Sequence, residues 1–410
     1  MRIALASDTW IPNINGAVVA IQNEIRALEN EGFEFLLLAP RMPKPKLGKN
    51  SQKKGFFEHT SVPMRSFRSI NLPFYSGYRV AYFDGEFRKI IREEKIDLIH
   101  THGPFSVGIG AWYLAKKLHV PLIATFHTWV MHEGYLTHLK FGFAKEFTQM
   151  FLEVIGWWWT RLYFSTADIV TTPSKILKKE LEHIGVRSPV ITVPNMISNV
   201  FFHKQYTPRQ QELLKSAFLH RFNLPSDTRL ILNVGRIAYE KRLETLIKAF
   251  NELIKTEKSL HLLIVGAGPQ FSHYKRFSRK LGLTDQEITF LGFVQHEDLP
   301  QIYALGDVFV SPSDTETQGL TYIEAMSQSV PVIAPRAGGV LDYLQNEKNS
   351  LLTKPLDVED TKYQINRLLE DDSLHKRLSI NAYQTAQNYS QDAFKKNLLN
   401  MIELAQKRHK

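Results

Sequence analysis

Residues 311–326 read SPSDTETQGLTYIEAM, directly after the apolar run Val308-Phe309-Val310. An apolar run closed by Ser311-Pro312, then turn residues, then a helical pattern from Gly319 predicts strand, turn and helix. Glu316 falls on the turn. Glu324, eight positions later, falls one to two turns into the helix and near the same end. The first N–H groups of a helix have no intrahelical acceptor, and the helix dipole favours an anion there. The unit therefore presents donors for an anion between two carboxylates that can accept hydrogen bonds from hydroxyls.

Outward from that unit, the second half alternates strands and helices. Strands are predicted at 230–234, 261–265, 288–291, 308–310 and 331–334, with helices between them and a helix at 207–222 before them. Gly235-Arg236 ends the first of these strands and Lys241 is expected to open the next helix (GRIAYEKRLETL). Arg236 and Lys241 are five positions apart across a turn and can converge on one diphosphate. Alone, they read equally as surface partners of Glu240 or Glu244. Together with Glu316 and Glu324 at another strand end of the same sheet, the anion reading is preferred. Gly266-Ala267-Gly268-Pro269 lacks the full dinucleotide fingerprint and is weak evidence for phosphate. Residues 357–370, 373–388 and 391–407 read as helices, the last expected to return to the first domain.

The first half shows the same rhythm. Strands are predicted at 2–6, 34–39, 96–100, 121–126, 168–172 and 190–193, and helices at 17–31, 106–118, 141–164 and 174–184, with Ser174 as an N-cap. Alternation at this spacing implies parallel sheets in two doubly wound α/β halves, joined by a linker at 194–206. Residues 41–68 break the rhythm with eight Lys/Arg against one acid and are expected to form a loop. That loop is either simply solvated or in contact with anionic lipid head groups, a contact worth about 1 kcal/mol per basic residue. The aromatics of 71–83 suit either a membrane interface or a packed loop. The loop 127–138 (HTWVMHEGYLTH) holds three histidines whose spacing does not suit zinc, and a histidine there that meets a substrate is the better reading. Trp157-Trp158-Trp159 cannot share one helix face, so at least one ring is expected at the surface. Two readings stand: core packing with one surface ring, or a lipid-facing patch flanked by Lys140, Lys145 and Arg161.

The chain of 410 residues contains no cysteine, which excludes disulfides and thiolate chemistry. No basic segment followed by an apolar core opens it, so no signal peptide is read, and no run of about 18 apolar residues suggests a span. Net charge is +10, of which residues 1–198 carry +7 (24 Lys+Arg against 17 Asp+Glu). The first half thus holds most of the attraction for an anionic partner. No aromatic–basic motif or recognition helix stands out, so nucleic acid is ranked last among partners.

These residues carry a resemblance. GRIAYEK, VGAGP, the glutamate pair and the Gly338-Gly339 loop resemble retaining glycosyltransferases of family 4, with the GT-B fold. SDTWIPNING, HTH at 100–102 and TFHT at 125–128 extend the likeness over essentially the whole chain. ETQGLTYIEAM, together with SDT and a loop resembling HT…EGYLTH, is similar to bacterial diacylglycerol glucosyltransferases. The resemblance implies two Rossmann-like doubly wound α/β domains facing across a cleft. The acceptor and membrane domain would occupy 1–198, the donor domain 199–388, and a helix at 389–410 would pack back on the first domain.

It also implies roles. Arg236 and Lys241 would neutralise the donor diphosphate, Glu316 would bind the donor sugar, and His127 would lie beside the transferring carbon. Glu324 would hold the ribose hydroxyls, and Gly319 and Leu320 would offer N–H groups. Gly16 would allow close approach of its loop, and Phe293-Val294 would flank the base. Two departures stand out: Gly338-Gly339 is followed by Val340-Leu341-Asp342 rather than by a glutamate after Gly-Gly-x-Pro, and Trp129-Val130-Met131 replaces a Tyr-rich acceptor loop. The expectation is transfer of glucose from UDP-glucose to a membrane lipid such as 1,2-diacylglycerol, with no obligatory metal or cofactor. The expected location is cytoplasmic, peripheral on the inner face of the cell membrane. Alternatives are a GDP-mannose-dependent mannosyltransferase, a transferase acting on a soluble glycan, or a non-catalytic nucleotide-sugar-binding protein. Oligomeric state is not legible.

Overall fold

The structure is a computed structural model, and it describes residues 1–11, 16–42, 62–71, 79–82, 85–127, 145–257 and 259–409, with backbone alone for 145–152. The basic run 44–54, the aromatics of 72–78, Trp129, Tyr135, Lys140 and most of the loop 127–138 lie outside the described residues.

The chain divides into two compact units, Met1–Asn195 with Asp392–Lys410, and Met196–Gln391. In the first, the elements run β1 (Arg2–Ala6), α1 (Gly16–Leu28), β2 (Glu34–Pro40), β3 (Met64–Phe67), β4 (Ser69–Asn71), β5 (Arg79–Ala81), α2 (Gly85–Glu93), β6 (Leu98–Thr101), α3 (Ser106–Leu118), β7 (Leu122–Thr125), α4 (Lys145–Phe164), β8 (Ile169–Thr172), α5 (Lys175–His183) and β9 (Val190–Thr192). Seven strands form one sheet in the order β3-β2-β1-β6-β7-β8-β9, all parallel.

Three features depart from the sequence reading. Residues 64–67, expected in a loop, form the edge strand β3 beside β2. Arg65 secures it by an ion pair to Glu94 at 2.7 Å. The hairpin β4–β5 and helix α2 are also additional. Ser174 does occupy the N-cap of α5, but its buried hydroxyl makes no capping bond.

The second unit runs α6 (Val200–His203), α7 (Pro208–Arg221), β10 (Arg229–Val234), α8 (Leu243–Leu253), β11 (Leu260–Val265), α9 (Phe271–Lys280), β12 (Ile288–Gly292), α10 (Leu299–Tyr303), β13 (Val308–Val310), α11 (Leu320–Ser327), β14 (Val332–Pro335), β15 (Leu351–Thr353), α12 (Val358–Glu370) and α13 (Asp372–Ala386). Its parallel sheet is ordered β12-β11-β10-β13-β14-β15. The last strand, absent from the sequence reading, is three residues long and offers too little periodicity to detect.

Alternate side chains leave this sheet on opposite faces. Leu230, Leu232, Leu263, Val265, Phe309 and Val332 enter one core, while Ile231, Leu262, Ile264, Val308, Val310 and Ile333 enter the other. Burial on both faces explains the nearly continuous apolar runs. Each such side chain contributes about 1.5–3 kcal/mol.

The final helix, α14 (Gln391–His409), belongs to the first unit from Asp392 onward. Phe394, Leu398, Met401, Ile402 and Ala405 form its buried stripe. Lys395 reaches Glu31 at 2.9 Å, and His409 reaches Asp168 at 3.2 Å.

Candidate functional site

In a doubly wound sheet, ligands bind beyond the strand carboxyl ends where the strand order reverses. In the second unit that point lies between β10 and β13. The loops leaving these two strands are tied by three polar links. Lys241 Nζ lies 2.5 Å from Glu316 Oε1, Arg242 Nε lies 3.4 Å from Asp314 Oδ1, and Ser313 Oγ donates to the Glu240 carbonyl at 3.3 Å. Lys241 does not open a helix as expected; it closes a 3₁₀ turn (Tyr239–Lys241), and α8 begins only at Leu243. The cause is Arg242, whose left-handed backbone (φ 52°) separates the two turns. Arg236 is an exposed side chain paired with Glu240, the local partner that the sequence also offered.

The loop after β14 supports Glu316 from behind. Gly339 N–H donates to the Glu316 carbonyl at 2.7 Å, and a Cβ on Gly338 would stand 2.6 Å from that oxygen. With φ at +70°, Gly338 is a position only glycine fills without strain. Gly319 is the N-cap of α11 at φ 75°, and its carbonyl accepts from the Tyr343 hydroxyl at 2.9 Å. Glu324 is buried, and the Tyr303 hydroxyl donates to it at 2.7 Å. Burial pushes the Glu324 carboxyl above its ordinary range, against His296 and the Tyr303 bond, which pull it down. Leu320 and Val294 are half-buried against the same core.

Gly266 and Gly268 have a packing role. A Cβ on Gly266 would lie 1.9 Å from the Gly235 carbonyl, and one on Gly268 would lie 2.2 Å from that of Ile237. Two loop backbones touch here, and side chains have no room.

The first unit reverses its strand order between β1 and β6. Asp8, after β1, accepts from the N–H groups of Phe105 (3.0 Å) and Val107 (2.7 Å) and from the Ser106 hydroxyl (3.2 Å), and so caps α3. Burial lifts its carboxyl to about 6, against the pull of these donors. Beside it, His102 follows β6 and His127 follows β7; His102 Nδ1 lies 2.7 Å from His127 Nε2, with the rings stacked. Below them Glu24, on α1, lies 2.9 Å from His100 Nδ1 and 3.4 Å from His102 Nε2. His100 Nε2 meets Thr125 Oγ1 at 2.6 Å, and that oxygen meets Thr171 Oγ1 at 2.5 Å.

Burial would raise Glu24, but His100 and His102 outweigh it and hold the carboxyl near 2. Burial, reinforced by His100, drops His102 to about 4. His127 lies well below the ordinary histidine value through burial and its histidine neighbours. A cavity of about 60 Å³ opens here, lined by Thr9, His102, Phe105, Phe126, His127 and Trp159 among others. Ligand atoms of Glu24, His100 and His102 fall within 4.8 Å of one another. His100 joins the two sides of this cluster, with Nδ1 on the Glu24 carboxylate and Nε2 on Thr125 Oγ1.

Residues 216–385 match the family described as Glycosyl transferases group 1, and residues 14–199 match Glycosyltransferase Family 4. The chain is a family 4 glycosyltransferase with the GT-B fold. Among its relatives, the alpha-monoglucosyldiacylglycerol synthase of Acholeplasma laidlawii is 28% identical, over 86% of this chain and 84% of that protein. A GDP-mannose-dependent alpha-mannosyltransferase of Corynebacterium glutamicum is 26% identical, over 97% of this chain and 88% of its own length. A crystal structure of Anabaena HepE in complex with UDP and glucose superposes with a TM-score of 0.73 at 19% identity, covering 98% and 99% of the two chains.

In this glycosyltransferase the second unit brings Lys241 against Glu316 and places Gly319, Leu320 and Glu324 on the adjoining helix, with Arg236 on the Lys241 loop. Gly16 opens α1 with free space around it, so no close approach explains it among the described residues. His127 is not isolated but ends a buried chain of polar groups. Sequence reading missed Glu24, His100, His102 and Asp8 as members of that site. Only the HTH spelling at 100–102 hinted at it; nothing local distinguishes Glu24 from a surface helix carboxylate.

Proposed function

We propose that this glycosyltransferase moves glucose from UDP-glucose to a membrane lipid of the diacylglycerol class, with retention at the anomeric carbon. The observation that carries the reading is the Lys241–Glu316 pair at the strand reversal, beside the first turn of α11. Breaking a glycosyl–phosphate bond builds negative charge on the leaving diphosphate. Fixed cations and N–H donors aimed at that charge lower the barrier most. Arg236, Lys241 and the N–H groups of Gly319 and Leu320 take that role, so no obligatory metal is invoked. Lys241 leaves Glu316 for the phosphate, and Glu316 then accepts from the sugar hydroxyls. Glu324 holds the ribose, Val294 flanks the base, Gly16 leaves room at the start of α1, and His127 binds the transferring sugar. A donor phosphate oxygen takes the acceptor's proton as the acceptor attacks from the leaving group's own face.

Two observations support a lipid surface as partner. Val154 (63% exposed), Trp158 (62%) and Leu162 recur every four residues on one face of α4, with Ile155 beside them. Arg161 lies next to that stripe, and the first half carries the larger share of positive charge. Among the described residues, no helix is long and apolar enough to cross a membrane. An apolar stripe beside Arg161, in the half of the chain with the larger positive charge, fits peripheral seating on the anionic cytoplasmic face of the cell membrane.

The test is a matrix of labelled UDP-glucose and GDP-mannose against diacylglycerol in phosphatidylglycerol vesicles, diacylglycerol in neutral vesicles, and soluble sugars. Glucosyl lipid formed fastest on anionic vesicles is expected. The mannosyl alternative is favoured by the Corynebacterium relative's 97% coverage of this chain, and transfer from GDP-mannose alone would select it. Tight donor binding without transfer to any acceptor would mean a silent binding protein.

A further inference from the structure

Glu24, His102 and His127 come from α1, the loop after β6 and the loop after β7, yet they form one buried line. The Glu24 carboxylate is 3.4 Å from His102 Nε2, and His102 Nδ1 is 2.7 Å from His127 Nε2. Among the described residues His102 Nε2 has no hydrogen-bond acceptor, so the carboxylate is the group it faces. A bare Nε2 would set a lone pair against a buried anion, which is repulsive. A protonated Nε2 is attracted to it, at a length nearer an ion contact than a hydrogen bond. A neutral imidazole carries only one N–H. His102 with Nε2–H therefore has a bare Nδ1, which must accept; His127 Nε2 must then donate, which leaves His127 Nδ1 bare.

We propose that Glu24 is a positioning residue. It sets the direction of the proton chain Glu24–His102–His127, so that His127 holds Nδ1 as a hydrogen-bond acceptor for a hydroxyl of the transferred sugar. The inference rests on the reading of His127 as a sugar-binding group. His100 reinforces it, because its Nδ1 is 2.9 Å from the same carboxylate and keeps Glu24 in place. Glu24 remains ionised, with its pKa near 2, while burial keeps both His102 and His127 neutral near pH 7.

Long-range ¹H–¹⁵N spectra of the full chain labelled at histidine, assigned with His102→Asn and His127→Asn, read the two tautomers directly. Nε2–H on both rings is expected at pH 7.5. Glu24→Gln keeps its amide oxygen on His100 and turns its NH₂ toward His102. Both rings should then switch to Nδ1–H, and the KM for the nucleotide sugar should rise about tenfold, the loss of one hydrogen bond. Affinity for UDP itself should stay unchanged, and Glu24→Asp should restore the original tautomers. Nδ1–H on His127 in the unaltered protein overturns the proposal, and so do unchanged tautomers and KM in Glu24→Gln. If Glu24→Gln does not fold, the unaltered protein's spectrum decides alone. Failure of UDP to bind the unaltered protein counts against the donor reading, while the spectra still judge the chain.

Discussion

Lys241 Nζ and Glu316 Oε1, 75 positions apart in sequence, stand 2.5 Å from each other at the point where the second sheet reverses its strand order. The pair is partly solvated, so its attraction adds little to stability. Its consequence is positional: a cation and a carboxylate are held beside the start of α11, where the proposed mechanism has each exchange its partner for a ligand group.

Lys241→Ala should therefore separate chemistry from folding. Loss of one charge aimed at the leaving diphosphate predicts a fall in kcat of about 10²–10³. Unfolding free energy should change by no more than about 1 kcal/mol. Steady-state kinetics and urea titration check both; unchanged turnover would remove Lys241 from the mechanism.

Glu324→Gln should leave the fold intact. The amide oxygen can still accept from the Tyr303 hydroxyl, and a buried carboxyl whose pKa is raised by burial gains by becoming neutral. Nucleotide affinity should fall about tenfold, as one charged hydrogen bond to a ribose hydroxyl becomes a neutral one. Calorimetry with UDP and a thermal melt measure the two effects.

Histidine 102 links stability to pH. Its folded pKa of about 4 lies below 6.5, so the folded state favours the neutral ring. The contribution is fully present above pH 6.5 and is lost as pH falls through 4, about 3 kcal/mol in all. Glu24, depressed to about 2, is lost in the same direction at lower pH; Asp8, lifted to about 6, acts oppositely and loses its contribution as pH rises through that value. Comparing urea midpoints of the unaltered protein and His102→Gln from pH 7.5 to 4 isolates the histidine. The variant should show a flatter profile.

Gly266→Ala and Gly282→Ala share positive φ but differ in space. The first places a Cβ 1.9 Å from the Gly235 carbonyl at φ 137°, and the second, at φ 88°, meets nothing within 4 Å. Gly266→Ala should cost about 3 kcal/mol or more and displace the loop that carries Arg236. Gly282→Ala should cost about 1 kcal/mol. Equal losses in chemical denaturation would contradict the packing role.

Trp158 and Trp159 should behave as opposites. Trp158→Ser, on the exposed face of α4, should alter stability by less than about 0.5 kcal/mol and reduce sedimentation with phosphatidylglycerol vesicles. Trp159 packs against the core and donates from Nε1 to the Pro104 carbonyl at 3.0 Å, so Trp159→Ala should cost about 3 kcal/mol. Undiminished vesicle binding by Trp158→Ser would take α4 out of the membrane contact.

Much of the fold was legible because it is periodic. Strands Arg2–Ala6 and Val308–Val310 and helix Ser106–Leu118 fall at the predicted residues, and α11 starts at Leu320, directly after its N-cap Gly319. Short strands without a period, β3 and β15, were not legible, because pairing with a neighbour rather than local pattern makes them; α2 does carry a helical period, with Phe87, Ile90 and Ile91 on its packed face, which the sequence reading passed over. The same division applies to the sites. Arg236, Lys241 and Glu316 could be singled out as candidates because loops at strand ends carry charge in recognisable spellings, and Glu324 because it stands eight positions after Glu316 in the helix that follows. Glu24, His100, His102 and His127 could not be grouped, since they come from separate elements and meet only when β1, β6 and β7 pair and α1 packs beside them. Composition and spacing thus determined the layered α/β halves and the cationic loop. Three-dimensional packing alone decided which carboxylate neutralises which base, because those contacts depend on sheet order and burial that no local run of residues encodes.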